Sequence, residues 1–227
     1  MRSLHFDHAS STASALDALL KDAPEFTAGL ALCAKLQIEE QEFFAARSTL
    51  RDVLIINPRS YKALSLLAGL YYLAGEDETA QHIVNDVRAR SPGYAEIYQT
   101  LAELSESNRR YADAVEFAVI AHNVDRQAWA SHATAGINRT RIGQHEIGRR
   151  SLKVAFAGDP FNVRIKNTLD LLDQTDADFK LRKSEHFELL AHKTKIDALA
   201  PLALPLAEQA FKLIRSAMAI SLAHRFG

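Results

Sequence analysis

The sequence is poor in the residues and segments that mark several classes of protein. It has a single cysteine, Cys33, among 227 residues, which excludes an internal disulfide and fits a reducing compartment. The N-terminal residues lack the apolar core of a signal peptide, and the longest apolar-rich run, residues 64–75, is too short to span a bilayer. We therefore expect a cytoplasmic protein without a membrane partner.

Neither positive nor negative charge is in excess. The chain has 27 Lys and Arg residues against 28 Asp and Glu residues, so its formal net charge is -1. It contains no basic run or stripe, and because binding to nucleic acid depends on clustered Lys and Arg, we do not expect a nucleic-acid partner. Phosphate-binding glycine loops and the motifs G-x-S-x-G and C-x-x-C are missing as well.

Proline is sparse and regularly spaced. Before residue 179 it occurs only at Pro24, Pro58, Pro92 and Pro160. The first three are equally spaced, and the step to the fourth is twice as long, with Arg126 at the position that the series skips. Because proline cannot continue a helix, one helix stop at each step of the series predicts one supersecondary unit per step.

Windows with the length of one proline step each contain two apolar periodicities of helical spacing. The windows are 27–60, 61–94, 95–128 and 129–162. Gly75 lies at the break between the two helices of its window, and Gly143 lies at the same phase two windows later. Small residues recur where the two helices of a pair must approach each other, at Ala46, Ala80, Ala114 and Gly148.

This pattern resembles the tetratricopeptide repeat (TPR), whose typical length of about 34 residues matches the windows. The resemblance implies an all-α fold, a right-handed superhelix of four helix-turn-helix repeats in those four windows. Residues 1–26 would be a partial repeat or N-terminal cap. The likeness is weakest at His132, which stands where Leu30, Leu64 and Tyr98 stand, and we expect it to be a packed, hydrogen-bonded histidine.

In such a superhelix the first helix of each repeat lines a concave face, so the resemblance implies a protein or peptide partner. From their positions within the repeat, we also predict that Ile38, Ser65 and Ile137 are exposed on that face. Alternatively, the face is a solvated helix surface whose charges pair within the chain. From the phase of the repeats we predict as binding residues Lys62, Tyr72, Glu96, Gln99, Glu103, Glu106 and Arg141.

Known TPR clamps for a chaperone's C-terminal carboxylate are not expected here. Such clamps place an asparagine at one position of the first helix. In this sequence that position holds Leu32, Leu66, Thr100 or Thr134.

Histidines give no metal motif in this chain. His145 and Glu146 begin an H-E-x-x-H pattern, but Arg149 occupies the position of the second histidine. His186 and His192 flank a predicted strand, and no third ligand is evident near them. We therefore predict no catalytic residues, no metal ligands and no cofactor.

Residues 163–227 depart from the repeats. A capping helix is predicted over about 163–174, broken by the sequence TDAD and followed by a linker to 178. Two strands, 179–183 and 185–191, surround a Lys-Ser-Glu turn. A helix follows over about 195–225, with Pro201 and Pro205 near its start.

The segments DPFNV, KNTLDLLD and HFELL carry a second resemblance, which covers about 130–227. They are similar to the junction in a family of bacterial TPR proteins with a peptidase MA-like domain, of the gluzincin zinc metallopeptidases. The resemblance implies that 179–227 begin an α/β peptidase-like domain, truncated before its H-E-x-x-H motif. Zinc would then belong only to a longer parent protein.

Three hypotheses about function remain open. The first is a non-catalytic scaffold that binds a protein or peptide on the concave TPR face. The second is the N-terminal part of a zinc metallopeptidase. The third is a complete adaptor whose last helix packs back on the repeats, and the sequence does not indicate an oligomeric state for any of them.

Overall fold

The structure, a computed structural model, describes residues 15, 16 and 18–223, with side chains as far as residue 216. Predictions for residues 1–14 and for the end at 224–227 lie outside the described residues. Residues 18–22 are helical. The chain divides into two compact units, residues 1–166 and 167–227.

In the described part of the first unit, residues 27–158 form four pairs of helices, and each pair falls within one of the predicted windows. The mostly helical, TPR-like fold is therefore as predicted. The helices are α1 (Thr27–Glu39), α2 (Phe43–Ile56), α3 (Tyr61–Leu73), α4 (Asp77–Arg90), α5 (Glu96–Ser107), α6 (Tyr111–Val124), α7 (Trp129–Arg141) and α8 (His145–Gly158).

The turn inside each pair places one residue in the left-handed region. These residues are Gln41 (φ 65°), Gly75 (φ 79°), Arg109 (φ 62°) and Gly143 (φ 83°), and they occupy the same phase of all four windows. The next residue donates its backbone N–H to a carbonyl five positions back, as Glu76 N–H does to Tyr71 O at 2.9 Å. This bond closes a helix in a Schellman motif. Two of the four positions are not glycine, although glycine adopts this conformation at least cost.

Small residues allow the two helices of a pair to approach closely. Ala46, Ala80 and Ala114 are at most 3% exposed. Gly148 makes a close contact, because a Cβ atom there would lie 2.8 Å from the backbone oxygen of Gly136. At this point α7 and α8 are in backbone contact.

Apolar side chains fill the space between successive pairs. One buried cluster joins the first two pairs and reaches the third through Leu104; it includes Ile38, Leu50 and Leu66. Ile38 and its neighbour on the predicted concave face, Ser65, are fully buried, and Ile137 is 7% exposed. Their prediction as exposed positions is wrong, because adjacent inner helices pack against each other at these residues.

His132 is packed, as expected. Its ring stacks on that of His122 with 4.3 Å between ring centroids. Burial lowers the pKa of both imidazoles, and for His122 the neighbouring charges of His132 and Arg139 lower it further. A hydrogen bond to the backbone of Arg126 partly offsets this effect by raising the pKa of His132.

The second unit contains most of helix α9 (Val163–Asp178), a two-stranded sheet and a long helix. The prediction that TDAD ends the helix near residue 174 is wrong. The helix continues through this segment, where Thr175 bonds its hydroxyl to the Leu171 carbonyl at 2.8 Å instead of breaking the helix.

The sheet consists of β1 (Phe179–Lys183) and β2 (Glu188–His192), paired antiparallel with Phe179 opposite His192. The second strand was predicted to start at residue 185. It starts at 188 because the Ser184 N–H donates to the Phe187 carbonyl at 2.9 Å, which makes residues 184–187 a turn.

The long helix is α10 (Ile196–Ala223), and both Pro201 and Pro205 lie inside it. None of the helices among the described residues is both long and apolar enough to cross a membrane.

The close contact of α7 with α8 gives a testable prediction. Alanine favours a helix over glycine by about 1 kcal/mol, but in Gly148→Ala the new methyl group must push apart two backbones, at a cost of about 1–3 kcal/mol. We expect net destabilisation, measured as a lower midpoint of urea unfolding. The matched control is Gly93→Ala, because a Cβ there meets nothing within 4 Å. Equal midpoints for the two variants would contradict the close contact.

Candidate functional site

Three pockets lie side by side along the inner helices α1, α3, α5 and α7. The Glu106 pocket, about 440 Å³, is lined by residues of α1, α5 and α7 and by Asn162, Arg164 and Ile165. Lys35 also lines the Lys62 pocket, about 420 Å³, between α1 and α3. Gln99 and Ala130 also line the Trp129 pocket, about 730 Å³, at the start of α5 and α7. These shared residues make the three pockets one continuous surface, which we call the inner face.

Glu106 is the most strongly held carboxylate of the inner face. Its side chain is 15% exposed, and it accepts hydrogen bonds from Asn138 Nδ2 at 2.9 Å, Arg141 Nη1 at 3.0 Å and Arg164 Nη2 at 2.5 Å. Burial raises its pKa, but the bonds from Asn138 and Arg164 and the charges of Arg164 and Arg141 outweigh burial, so the pKa lies below its ordinary value. This network ties α5 to α7 and to the start of α9.

Gln99 and Glu103 form a second network on the same face. Gln99 donates to Glu103 at 3.0 Å and to Thr134 at 3.2 Å, and its carbonyl oxygen accepts from Ser131 at 2.6 Å. Lys35 pairs with the other oxygen of Glu103 at 3.2 Å. Both members of this ion pair are about one-third or more exposed, so the pair contributes about 0–1 kcal/mol.

Glu96 lies apart from these networks, in the Trp129 pocket. It is exposed and accepts a hydrogen bond from the Tyr94 hydroxyl. Burial, that hydrogen bond and the charge of Glu96 together raise the pKa of Tyr94 to about 12. Of the three glutamates predicted to line the concave face, this is the one without a basic partner among the described residues.

The other predicted residues have different surroundings. Lys62 is exposed and lines the pocket named after it. Arg141 lies beside Glu106, 5.0 Å above the ring of Tyr111.

Tyr72 packs on α6 and lines none of the three pockets. Its ring meets Phe117 edge-on at 4.9 Å, and Arg110 lies 5.3 Å above it. Burial is the main cause that raises the pKa of Tyr72 to about 12, and the hydrogen bond to Asp113 is the next.

One group of described residues could hold a metal ion. Glu185, His186 and Glu208 place one ligand atom each within 4.8 Å of one another. No third ligand is expected from the sequence beside His186 and His192, but the structure brings Glu208 to His186 and Glu185. Helix α10 brings Glu208 back to the hairpin, 22 residues along the chain.

Glu208 already has a structural role in that group. It accepts hydrogen bonds from the Ser184 hydroxyl at 2.6 Å and from the His186 backbone N–H at 2.8 Å, and it lies 2.8 Å from His186 Nδ1. The bonds from Ser184 and His186 lower the pKa of Glu208 to about 2. The carboxylate thus fastens the hairpin turn to α10. His192 bonds to Thr194 and is not part of this group.

No protein-family model matches the chain, and no curated protein matches it in sequence. Solved structures do match its fold. A tetratricopeptide repeat protein from Parabacteroides merdae aligns with a TM-score of 0.55 and 19% identity, over 75% of this chain and 66% of that one. At this identity the likeness shows the fold alone, a TPR-like array of helix pairs.

Two further matches are weaker. A thermophilic TPR protein from Thermus thermophilus aligns with a TM-score of 0.47 and 20% identity, covering 66% of this chain and 82% of that one. The first TPR of Spaghetti (RPAP3), bound to an HSP90 peptide, aligns with a TM-score of 0.41 and 17% identity. It covers 50% of this chain and 90% of its own.

The burial of Glu106 predicts that it stabilises the fold. Glu106→Gln removes a charge that two arginines share, and hydrogen bonds to charged groups contribute about 1.5–3 kcal/mol each. We expect a loss of about 1–3 kcal/mol in the free energy of unfolding at pH 7, measured by urea titration. Glu116→Gln is the matched control, since Glu116 is exposed on α6, and it should change stability by less than about 0.5 kcal/mol.

The same pair of variants gives a pH dependence. Because the folded pKa of Glu106 lies below its ordinary value of 4.5, its contribution is present above pH 4.5 and is lost as pH falls through the folded pKa. The difference between wild type and Glu106→Gln should therefore shrink in acid. A constant difference down to the acid limit of the fold would contradict this.

Proposed function

We propose that this chain is a protein-interaction scaffold that binds an extended peptide segment of a protein partner along the inner face, and that it performs no catalysis itself. The observation that carries the proposal is the continuity of the three pockets. A row of open pockets that share Lys35, Gln99 and Ala130 suits an extended chain, with alternate side chains entering successive pockets.

The size and chemistry of the pockets support binding. Each volume lies within the range of about 300–1,000 Å³ that is typical of ligand sites. Their walls combine apolar residues, alanine in all three pockets, with polar side chains, and in the Glu106 pocket Lys35, Gln99 and Glu103 are already held in place by hydrogen bonds. A surface that is ordered before binding loses less conformational entropy when a partner arrives.

The proposal revises the roles of the predicted residues. Glu106 and Arg141 hold the inner face together, and Gln99 and Glu103 shape its centre. Among the predicted residues, Lys62 and Glu96, at opposite ends of the row of pockets, are the charged groups without an ion pair in the part of the chain that the structure describes. Tyr72 supports α6 and has no direct role in binding.

The peptidase hypothesis stays a proposal of its own. It rests on the similarity of 179–227 to the beginning of a peptidase MA-like domain. An in-frame H-E-x-x-H motif in the gene downstream of codon 227 would support it, and a gene without such a motif would rule it out.

A substitution that fills one of the pockets would test the scaffold function. Random dodecapeptides displayed on phage would be selected on the immobilised chain, and the most enriched peptide would be synthesised with a fluorescein label. Ala130 is exposed and lines two of the pockets, so Ala130→Tyr should fill the space without disturbing the core. We expect its dissociation constant, measured by anisotropy, to rise at least tenfold.

The matched control is Ala112→Tyr, an equally exposed alanine on α6 that lines none of the three pockets. It should bind the peptide within about twofold of wild type. Failure to enrich any peptide, or an equal effect of the two substitutions, would contradict binding on the inner face.

A further inference from the structure

The Trp129 pocket differs from the rest of the inner face in its charge. Its charged lining residues are Glu96, Asp125 and Asp159, and its described lining contains no lysine, arginine or histidine. The pocket also has two aromatic walls, Tyr94 and Trp129. It is the largest of the three pockets, at about 730 Å³.

None of these three carboxylates is neutralised by a basic group among the described residues. Asp125 accepts from the Gln127 backbone N–H at 2.9 Å, and Asp159 accepts from the side-chain amide of Asn162 at 3.2 Å. Glu96 bonds with the Tyr94 hydroxyl. All three partners are neutral, so the pocket keeps three negative charges.

The neighbouring Glu106 pocket shows the opposite arrangement. Glu103 is paired with Lys35, and Glu106 is paired with Arg141 and Arg164. A basic side chain of a partner would have to displace one of these internal pairs to reach Glu103 or Glu106. In the Trp129 pocket a cation meets carboxylates that have no such pair to lose.

Helix ends reduce this negative charge without cancelling it. Helices α5 and α7 begin at the pocket, and α9 begins four residues after Asp159. Each helix N-terminus carries about half a positive charge and each C-terminus about half a negative one. Because α6 ends next to Asp125 and α8 ends at Gly158, the helix ends together offset only about 0.5 of the three charges. The balance at the pocket therefore favours a cation.

The indole of Trp129 is fixed in place by the neighbouring backbone. A Cβ atom on Gly158 would lie 2.1 Å from Cδ2 of the indole, so the ring lies directly against the glycine at the end of α8. The side chain is half-buried. An aromatic wall held beside carboxylates suits a guanidinium group, which can stack on a ring and bond to carboxylates at the same time.

We propose that the Trp129 pocket binds an arginine side chain of the peptide partner, with Glu96, Asp125 and Asp159 supplying the charge and Trp129 the aromatic wall. This inference rests on the proposed function and specifies the residue that one end of the inner face selects. It places the basic residue of the peptide at the α5–α7 end, away from Lys62.

Trp129 is the sole tryptophan of the chain, so its fluorescence reports directly on this pocket. The probes are two pentapeptides, acetyl-Gly-Ser-Arg-Ser-Gly-amide and the same peptide with citrulline in place of arginine. Citrulline has nearly the shape of arginine but no charge. We expect a saturable change in Trp129 fluorescence with the arginine peptide, and half-saturation at a concentration at least tenfold higher with the citrulline peptide.

Two triple variants test the carboxylates. Glu96→Gln, Asp125→Asn and Asp159→Asn together should weaken binding of the arginine peptide at least tenfold. Asp52→Asn, Glu116→Gln and Glu146→Gln change the net charge by the same amount at exposed positions outside the three pockets. This control should bind within about twofold of wild type, which separates the local carboxylates from the net charge of the chain.

The outcomes distinguish this inference from the scaffold function. Equal effects of the arginine and citrulline peptides, or equal losses in the two triple variants, would overturn the arginine site. So would a phage-selected peptide that binds the inner face while the arginine peptide leaves Trp129 unchanged, and in that case the scaffold function would stand. If no peptide of any kind binds, both proposals fail.

Discussion

A small side chain at one fixed position of every helix pair, buried in the three pairs where it is alanine and in backbone contact where it is Gly148, is the constraint on which the rest of the structure depends. A residue with little or no side chain lies at each contact, from Ala46 to Gly148, and a left-handed residue reverses the chain between the two helices. Because every pair is built the same way, the first helices of successive pairs lie side by side. Their shared surface is the inner face.

Charge is distributed unevenly over that face. In its centre Glu103 and Glu106 are paired with basic groups of the same chain, as the hypothesis of internal ion pairs predicts. Glu106 is the clearest case, since it joins α5, α7 and the start of α9. At the α5–α7 end, beside Trp129, three carboxylates have only neutral partners among the described residues. Internal pairing therefore accounts for Glu103 and Glu106 but not for the carboxylates beside Trp129.

The sequence predicted the repeating fold well because that fold follows from local rules. Proline and glycine spacing gave the period, and small residues marked the helix contacts. It did not reveal the left-handed residues Gln41 and Arg109, whose side chains give no sign of that conformation. The position of the turn within each helix pair therefore follows from the repeat length, and glycine marks it in only two of the four pairs.

Features that depend on distant contacts were harder to predict. Arg164 reaches Glu106 from 58 residues away, and Glu208 reaches the hairpin turn from 22 residues away. Repeat phase alone cannot show such contacts, so it placed Tyr72 on the binding face although that side chain packs on α6. The same limit explains why Glu208 was not expected beside His186.

The most direct test of this account is the electrostatic potential at Trp129. Caesium and iodide ions quench tryptophan fluorescence and differ in charge, so their relative efficiencies report the sign of the local potential, with free N-acetyltryptophanamide as the reference. If the carboxylates beside Trp129 are not neutralised, caesium should quench Trp129 more efficiently than iodide, relative to the reference. Equal or greater quenching by iodide would contradict the account.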